Sequence, residues 1–173
     1  QRQDSRFSSS RWGLLGLFEK AIDGRSVCFG GERRLSWLEP VATRVLELPA
    51  EDRKGIEADI RNTNRLALTF VTPAAFTNGW KPAWADGNQD VPGIVGLRLR
   101  LVAAALGRWV GHSGWDLALK RPKPSRALVP AGSTYWFDVL DLPADAIGRL
   151  WLASVCDHEQ DRKDGFGLVI PGV

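Results

Sequence analysis

GHSGWDLALKRPKPSRALVPAGSTY, residues 111–135, is the stretch on which the reading of this chain turns. Lys120, Arg121, Lys123 and Arg126 fall close together, with Pro122 and Pro124 among them. Proline lacks the amide that a helix interior or a central strand requires, so a stiff basic loop is expected here, with no helix or internal strand running through it. Trp109 and Trp115 stand just upstream, and the loop hands over to a half-apolar strand at 133–140 that presents the cations from a fixed frame. Positive charge beside flat aromatic surface suits a phosphodiester chain with exposed bases. A solvated loop that only confers solubility is the plain alternative.

The flanking segments supply the scaffold. Downstream, Thr134, Trp136 and Asp138 share one strand face and Tyr135, Phe137 and Val139 the other. Pro143 then opens a helix predicted to reach Val155, with Ile147, Leu150, Trp151 and Val155 on its buried side. A last strand over 165–172 is entered through Asp164-Gly165. Upstream, Leu97, Leu99 and Leu101 point inward from a strand at 95–106, and Arg98 and Arg100 point outward, either continuing the basic surface of the loop or, the commoner case, as ordinary solvent-facing residues. Leu66, Leu68 and Phe70 alternate in a strand at 65–71 that Pro73 ends, and Ile56 and Ile60 mark one face of a helix over 50–62 with Glu51 and Asp52 in its first turn. Between them Phe76, Trp80 and Trp84 either fold over a partner or cap the core. In 27–38, Gly30-Gly31 interrupts an apolar run just before Arg33 and Arg34; this is either a bend whose arginines fork onto phosphate or a hairpin turn with a solvated edge. Residues 1–10 read as a polar end, and 12–18 as a short strand or docking segment.

This order of strands and helices is α+β, compatible with an RRM-like (ferredoxin-like) unit carrying loop insertions. The expected division is a residual N-terminal segment, 1–26, and one domain, 27–173. With Gln1 first and no methionine anywhere, the chain reads as a piece of a longer polypeptide. Net charge is only +3, so a nucleic-acid surface must come from local clustering of the 23 lysines and arginines. No apolar run approaches a membrane span and no secretory leader opens the sequence, which predicts a cytoplasmic protein with Cys28 and Cys156 as buried thiols.

Catalytic signals are sparse. His112, in Gly111-His112-Ser113-Gly114, is the candidate general base of a metal-independent ribonuclease, with a nucleic-acid-contacting or merely solvated imidazole as the alternative. His158 lies in a Cys156-Asp157-His158-Glu159 run that lacks structural-zinc spacing, and Asp141, Asp145, Asp161 and Asp164 read as capping or solvated carboxylates. No nucleophile motif or phosphate-binding Walker loop occurs, so neither a metal nor a cofactor is expected. In DGFGLVIPG, Gly165 and Gly167 expose backbone amides that phosphates can approach, and with Arg162 and Lys163 the run loosely imitates a motif of RNA-binding domains; a tight turn into a buried strand is the alternative.

Five blocks in a fixed order are Gly30-Gly31-Glu32-Arg33-Arg34; Leu68 to Ala74 with Phe76 and Gly79-Trp80; Gly114-Trp115-Asp116-Leu117 leading to Arg121-Pro122-Lys123-Pro124; Val129 to Ser133; and Gly165-Phe166-Gly167. Together they resemble the third-subunit family of the Cmr complex, RAMP-superfamily proteins of type III-B CRISPR effectors. The resemblance implies an RRM-like RAMP fold, normally with two such units per subunit, and a non-catalytic role in antiviral defence. It implies that the 5′ tag of the CRISPR RNA is held here and that the large polymerase-like subunit and a backbone subunit dock alongside. Gly30, Gly31, Arg33, Arg34, Trp115, Lys120, Arg121, Lys123, Arg126, Gly165 and Gly167 are then the expected RNA-binding set, with Trp115 either stacking a base or, the commoner fate of tryptophan, anchoring the loop by burial. A RAMP-type processing endoribonuclease using His112 and a purely structural assembly subunit are the rival readings.

Overall fold

The computed structural model describes residues 24, 26–29, 34–40 and 46–173. The chain divides into two compact units, Gln1–Arg44 and Val45–Val173. In the first, strands β1 (Ser26–Phe29) and β2 (Arg34–Trp37) pair antiparallel as a hairpin. This is the hairpin alternative for 27–38. Its turn, with Gly30, Gly31 and Arg33, and the 1–10 and 12–18 segments lie outside the described residues.

The second unit opens with α1 (Ala50–Thr63), which Pro49 precedes, whose first turn carries Glu51 and Asp52 against the helix dipole, and which ends where Asn64 turns left-handed at φ 52°. Four strands follow: β3 (Arg65–Phe70), β4 (Arg98–Ala105), β9 (Thr134–Asp141) and β10 (Val169–Gly172). They form one antiparallel sheet in the order β10-β3-β9-β4. With β3 counted as the first of the four, that is the ferredoxin-like order, with the two middle positions held by the first and third strands. The first crossover, 71–97, contains no helix and closes with irregular turns; Phe76 and Trp84 cap the core from it while Trp80 is exposed. The second carries two five-residue helices, α2 (Ala146–Leu150) and α3 (Glu159–Lys163).

Period-two alternation explains which face is which. Leu66 lies opposite Phe137 and Leu68 opposite Tyr135, and all four are essentially inaccessible, as are Leu99, Phe70 and Val169 on the same face. Phe70 meets Tyr135 edge-on at 5.2 Å and Trp84 stacks on Phe137 at 5.4 Å. Ile147 and Leu150 close this core from α2. Each such side chain stabilises the fold by about 1.5–3 kcal/mol through removal from water. Among the described residues, no helix is long and apolar enough to cross a membrane.

Two predicted elements are much shorter than the sequence suggests: the strand expected over 165–172 is only β10, Val169–Gly172, because 164–167 form a turn. The helix expected to run to Val155 stops at Leu150; Leu152 adopts φ 57°, and residues 152–154 instead hydrogen-bond along β10, with Leu152 N donating to Val169 O and Val169 N to Ala153 O. Gly148 inside the helix and sheet pairing beyond it outweigh the apolar spacing.

Candidate nucleic-acid interface

Between β4 and β9 the chain leaves the sheet as a narrow arm. Strands β5 (Val110–His112) and β8 (Arg126–Leu128) pair at its base, and β6 (Trp115–Asp116) and β7 (Arg121–Pro122) pair further out. Residues 117–120 turn the tip, where Asp116 Oδ1 accepts from the amides of Ala118 and Leu119 and Lys120 takes φ 50°. Lys123 N donates to Gly114 O, and Ser113 Oγ to Lys123 O, which joins the two ladders. The expected irregular loop is therefore a hairpin; a two-residue ladder at an edge tolerates Pro122 where an internal strand would not.

The base of the arm is fastened to the core at three points. Ala74 and Val129 exchange both backbone hydrogen bonds, at 2.8 and 2.9 Å. His112 and Arg126 face each other across β5–β8. The His112 ring packs edge-on against Phe166 at 5.0 Å, and both terminal nitrogens of Arg126 donate to the Asp161 carboxylate at 2.7 Å each. Asp161 is 4% exposed, and the Arg126 hydrogen bonds hold its carboxyl below the usual carboxylate range. The same turn is tied down from the other side by Thr72, whose Oγ1 donates to Gly165 O and accepts from Leu168 N.

These contacts redistribute the expected site. Gly30, Gly31 and Arg33 lie outside the described residues, and so does the side chain of Arg34, whose backbone opens β2. Arg126 directs its guanidinium at a carboxylate of its own chain. The amides of Gly165, Phe166 and Gly167 are not open to an anion, because they donate to the carbonyls of Arg162, Asp161 and Pro73 respectively. Gly165 is needed for its φ of +82°, and Gly167 for packing: a Cβ there would stand 2.5 Å from Cys156 Sγ. The tight-turn alternative describes this loop. Trp115 does not anchor the arm by burial; it is 57% exposed. Asp161, expected as a capping or solvated carboxylate, is the buried partner of Arg126, a pairing across 35 residues that no local pattern signals.

What the arm leaves available is Lys120, Arg121 and Lys123, all exposed and, among the described residues, engaged in no ion pair. Trp109, Trp115, Leu117 and Leu119 are exposed beside them. His112 lies against Phe166, and among the described residues no side chain hydrogen-bonds its ring to orient it. His158 contacts Thr77 Oγ1 at 3.3 Å, and no cluster of metal ligands occurs among the described residues.

The family model described as CRISPR-associated protein (Cas_Cmr3) matches residues 13–173 of the chain, which includes every described element. No curated protein matches it.

Proposed function

This chain belongs to the Cas_Cmr3 family of CRISPR-associated proteins and is a subunit of a Cmr complex, and we propose that within that complex it holds the 5′ tag of the CRISPR RNA without cleaving it. The observation that carries this reading is the division of labour along the arm. Its base is locked to the core through Arg126 and Asp161, while Lys120, Arg121 and Lys123, in no ion pair among the described residues, stand further out beside an exposed indole. Ammonium and guanidinium groups held on a stiff hairpin neutralise phosphates with little ordering cost, and Trp115 offers a face on which a base stacks. The large polymerase-like subunit and the backbone subunit flank this site in the assembly we propose, in the cytoplasm. The role is one of binding: the imidazole of His112 packs edge-on against Phe166, and among the described residues no side chain hydrogen-bonds it as an orienting partner would.

Replacing Lys120, Arg121 and Lys123 together by alanine tests it. If each neutralises one phosphate of a single strand, the slope of log K against log salt falls in magnitude by about 2. An unchanged slope removes the arm from the RNA path and leaves the assembly role. Chelator-resistant cleavage of repeat RNA that is lost in His112→Ala establishes the endoribonuclease instead.

A further inference from the structure

The face of the sheet turned away from the core carries a second ordered pattern. Read across β3, β9 and β4, one row is Arg65–Asp138–Arg100 and the next Ala67–Trp136–Ala103; a third is Thr69–Thr134–Ala105. Trp136 is 37% exposed although its strand neighbours Tyr135 and Phe137 are fully buried, and its neighbours on the two adjacent strands are small: Ala67, which is buried, and Ala103, which is exposed. Asp138 takes Arg65 at 3.0 Å with one oxygen and Arg100 at 2.9 Å with the other. Two guanidiniums thus share one carboxylate, which fixes them on either side of β9 and leaves a positive charge uncompensated. The rows are two residues apart, about 6.7 Å along the strand.

We infer that this sheet face is a second binding site for single-stranded RNA, separate from the arm, with a base stacked on Trp136 and its backbone phosphate on Arg65 and Arg100. An aromatic ring on the middle of an antiparallel sheet stacks any base, and preoriented guanidinium forks suit phosphate oxygens. A protein partner covering the same face has to desolvate the Arg65–Asp138–Arg100 row, which is costly unless it brings a matching anion; RNA supplies one with every nucleotide. Asp138 is unfavourable to a phosphate, but both of its oxygens are already covered by arginine, and the nearby carboxylates Asp86 and Asp141 are paired with Lys81 and Arg98.

The test uses the assembled Cmr complex with a guide RNA carrying 4-thiouridine. After irradiation and trypsin digestion, the expected adduct lies on Trp136 within the peptide 127–149, a fragment distinct from those of the arm. In parallel, a ten-nucleotide oligouridylate binds the chain at least about fivefold more weakly after Trp136→Ala, and within about twofold of wild type after Trp136→Phe, which keeps a stacking ring. The arm triple variant retains that difference between Ala and Phe, so failure of the arm proposal and of this one are told apart. Equal affinities for Trp136→Ala and Trp136→Phe overturn the inference. So does an uncrosslinked 127–149 whose β9 amides are protected from hydrogen exchange by complex assembly without RNA, since a protein then covers the face.

Discussion

Replacing Arg126 by glutamine leaves the Asp161 carboxylate in place without its hydrogen-bonded counter-ion. Asp161 has a side chain only 5% exposed, whereas Arg126 is 45% exposed. Loss of one partner from a fully buried pair costs about 3–5 kcal/mol, and loss of a hydrogen bond to a charged group about 1.5–3 kcal/mol. Because water already screens the arginine, the lower range applies, and about 2–3 kcal/mol is expected. For a cooperative unit of about 130 residues that lowers the Tm by about 7–11 °C. The pH dependence has a definite sign. The pair holds the Asp161 carboxyl below its ordinary value, so its stabilisation is full above the unfolded aspartate pKa of about 3.9 and disappears as pH falls through the folded value beneath it. Urea denaturation at pH 7 and pH 3 reads both effects: a gap of about 2–3 kcal/mol between wild type and Arg126→Gln at pH 7 narrows markedly at pH 3. A loss under about 0.5 kcal/mol at pH 7, or a gap equally wide at both pH values, refutes the claim that this ion pair holds the arm.

Glycine replacements in the turn at 165–167 separate backbone conformation from packing. Gly165→Ala meets open space and costs only the left-handed conformation, about 1–2 kcal/mol, whereas Gly167→Ala also drives a methyl into Cys156 and costs about 2–4 kcal/mol by denaturant titration. The two thiols react at different rates: Cys28, expected to be buried, is exposed and reacts promptly with Ellman's reagent, while Cys156 is buried, its thiol pushed up by burial, and reacts only as the unit opens. A second thiol that reacts as fast as the first at neutral pH contradicts that placement.

How much of this was legible in the sequence depended on whether the deciding contact was local. The faces of β3 and β9 follow from the alternation of Leu66, Leu68, Phe70 and of Tyr135, Phe137, because burial on one side of a pleated strand has period two. The outward direction of Arg98 and Arg100 was legible too, though not their carboxylate partners Asp141 and Asp138, which come from another strand. The helix at 143–155 had apolar residues at suitable spacing, yet the pull of β10 on residues 152–154 is a tertiary effect that spacing does not contain. For the candidate site, the cluster Lys120, Arg121, Lys123 was visible as charge between prolines. The commitment of Arg126 to Asp161, the contact of His112 with Phe166 and the bond from Gly167 N to Pro73 O were not, since each joins segments far apart in the chain; the amides of Gly165 and Phe166 close the local turn that was the plain alternative there.

The arm is a cantilever: clamped at 110–112 and 126–128, unsupported beyond. Inserting one residue into each leg extends its overhang by about 3.3 Å and moves no atom of the core. The distance over which this subunit probes its surroundings is therefore adjustable by matched pairs of residues, independently of the domain that carries it.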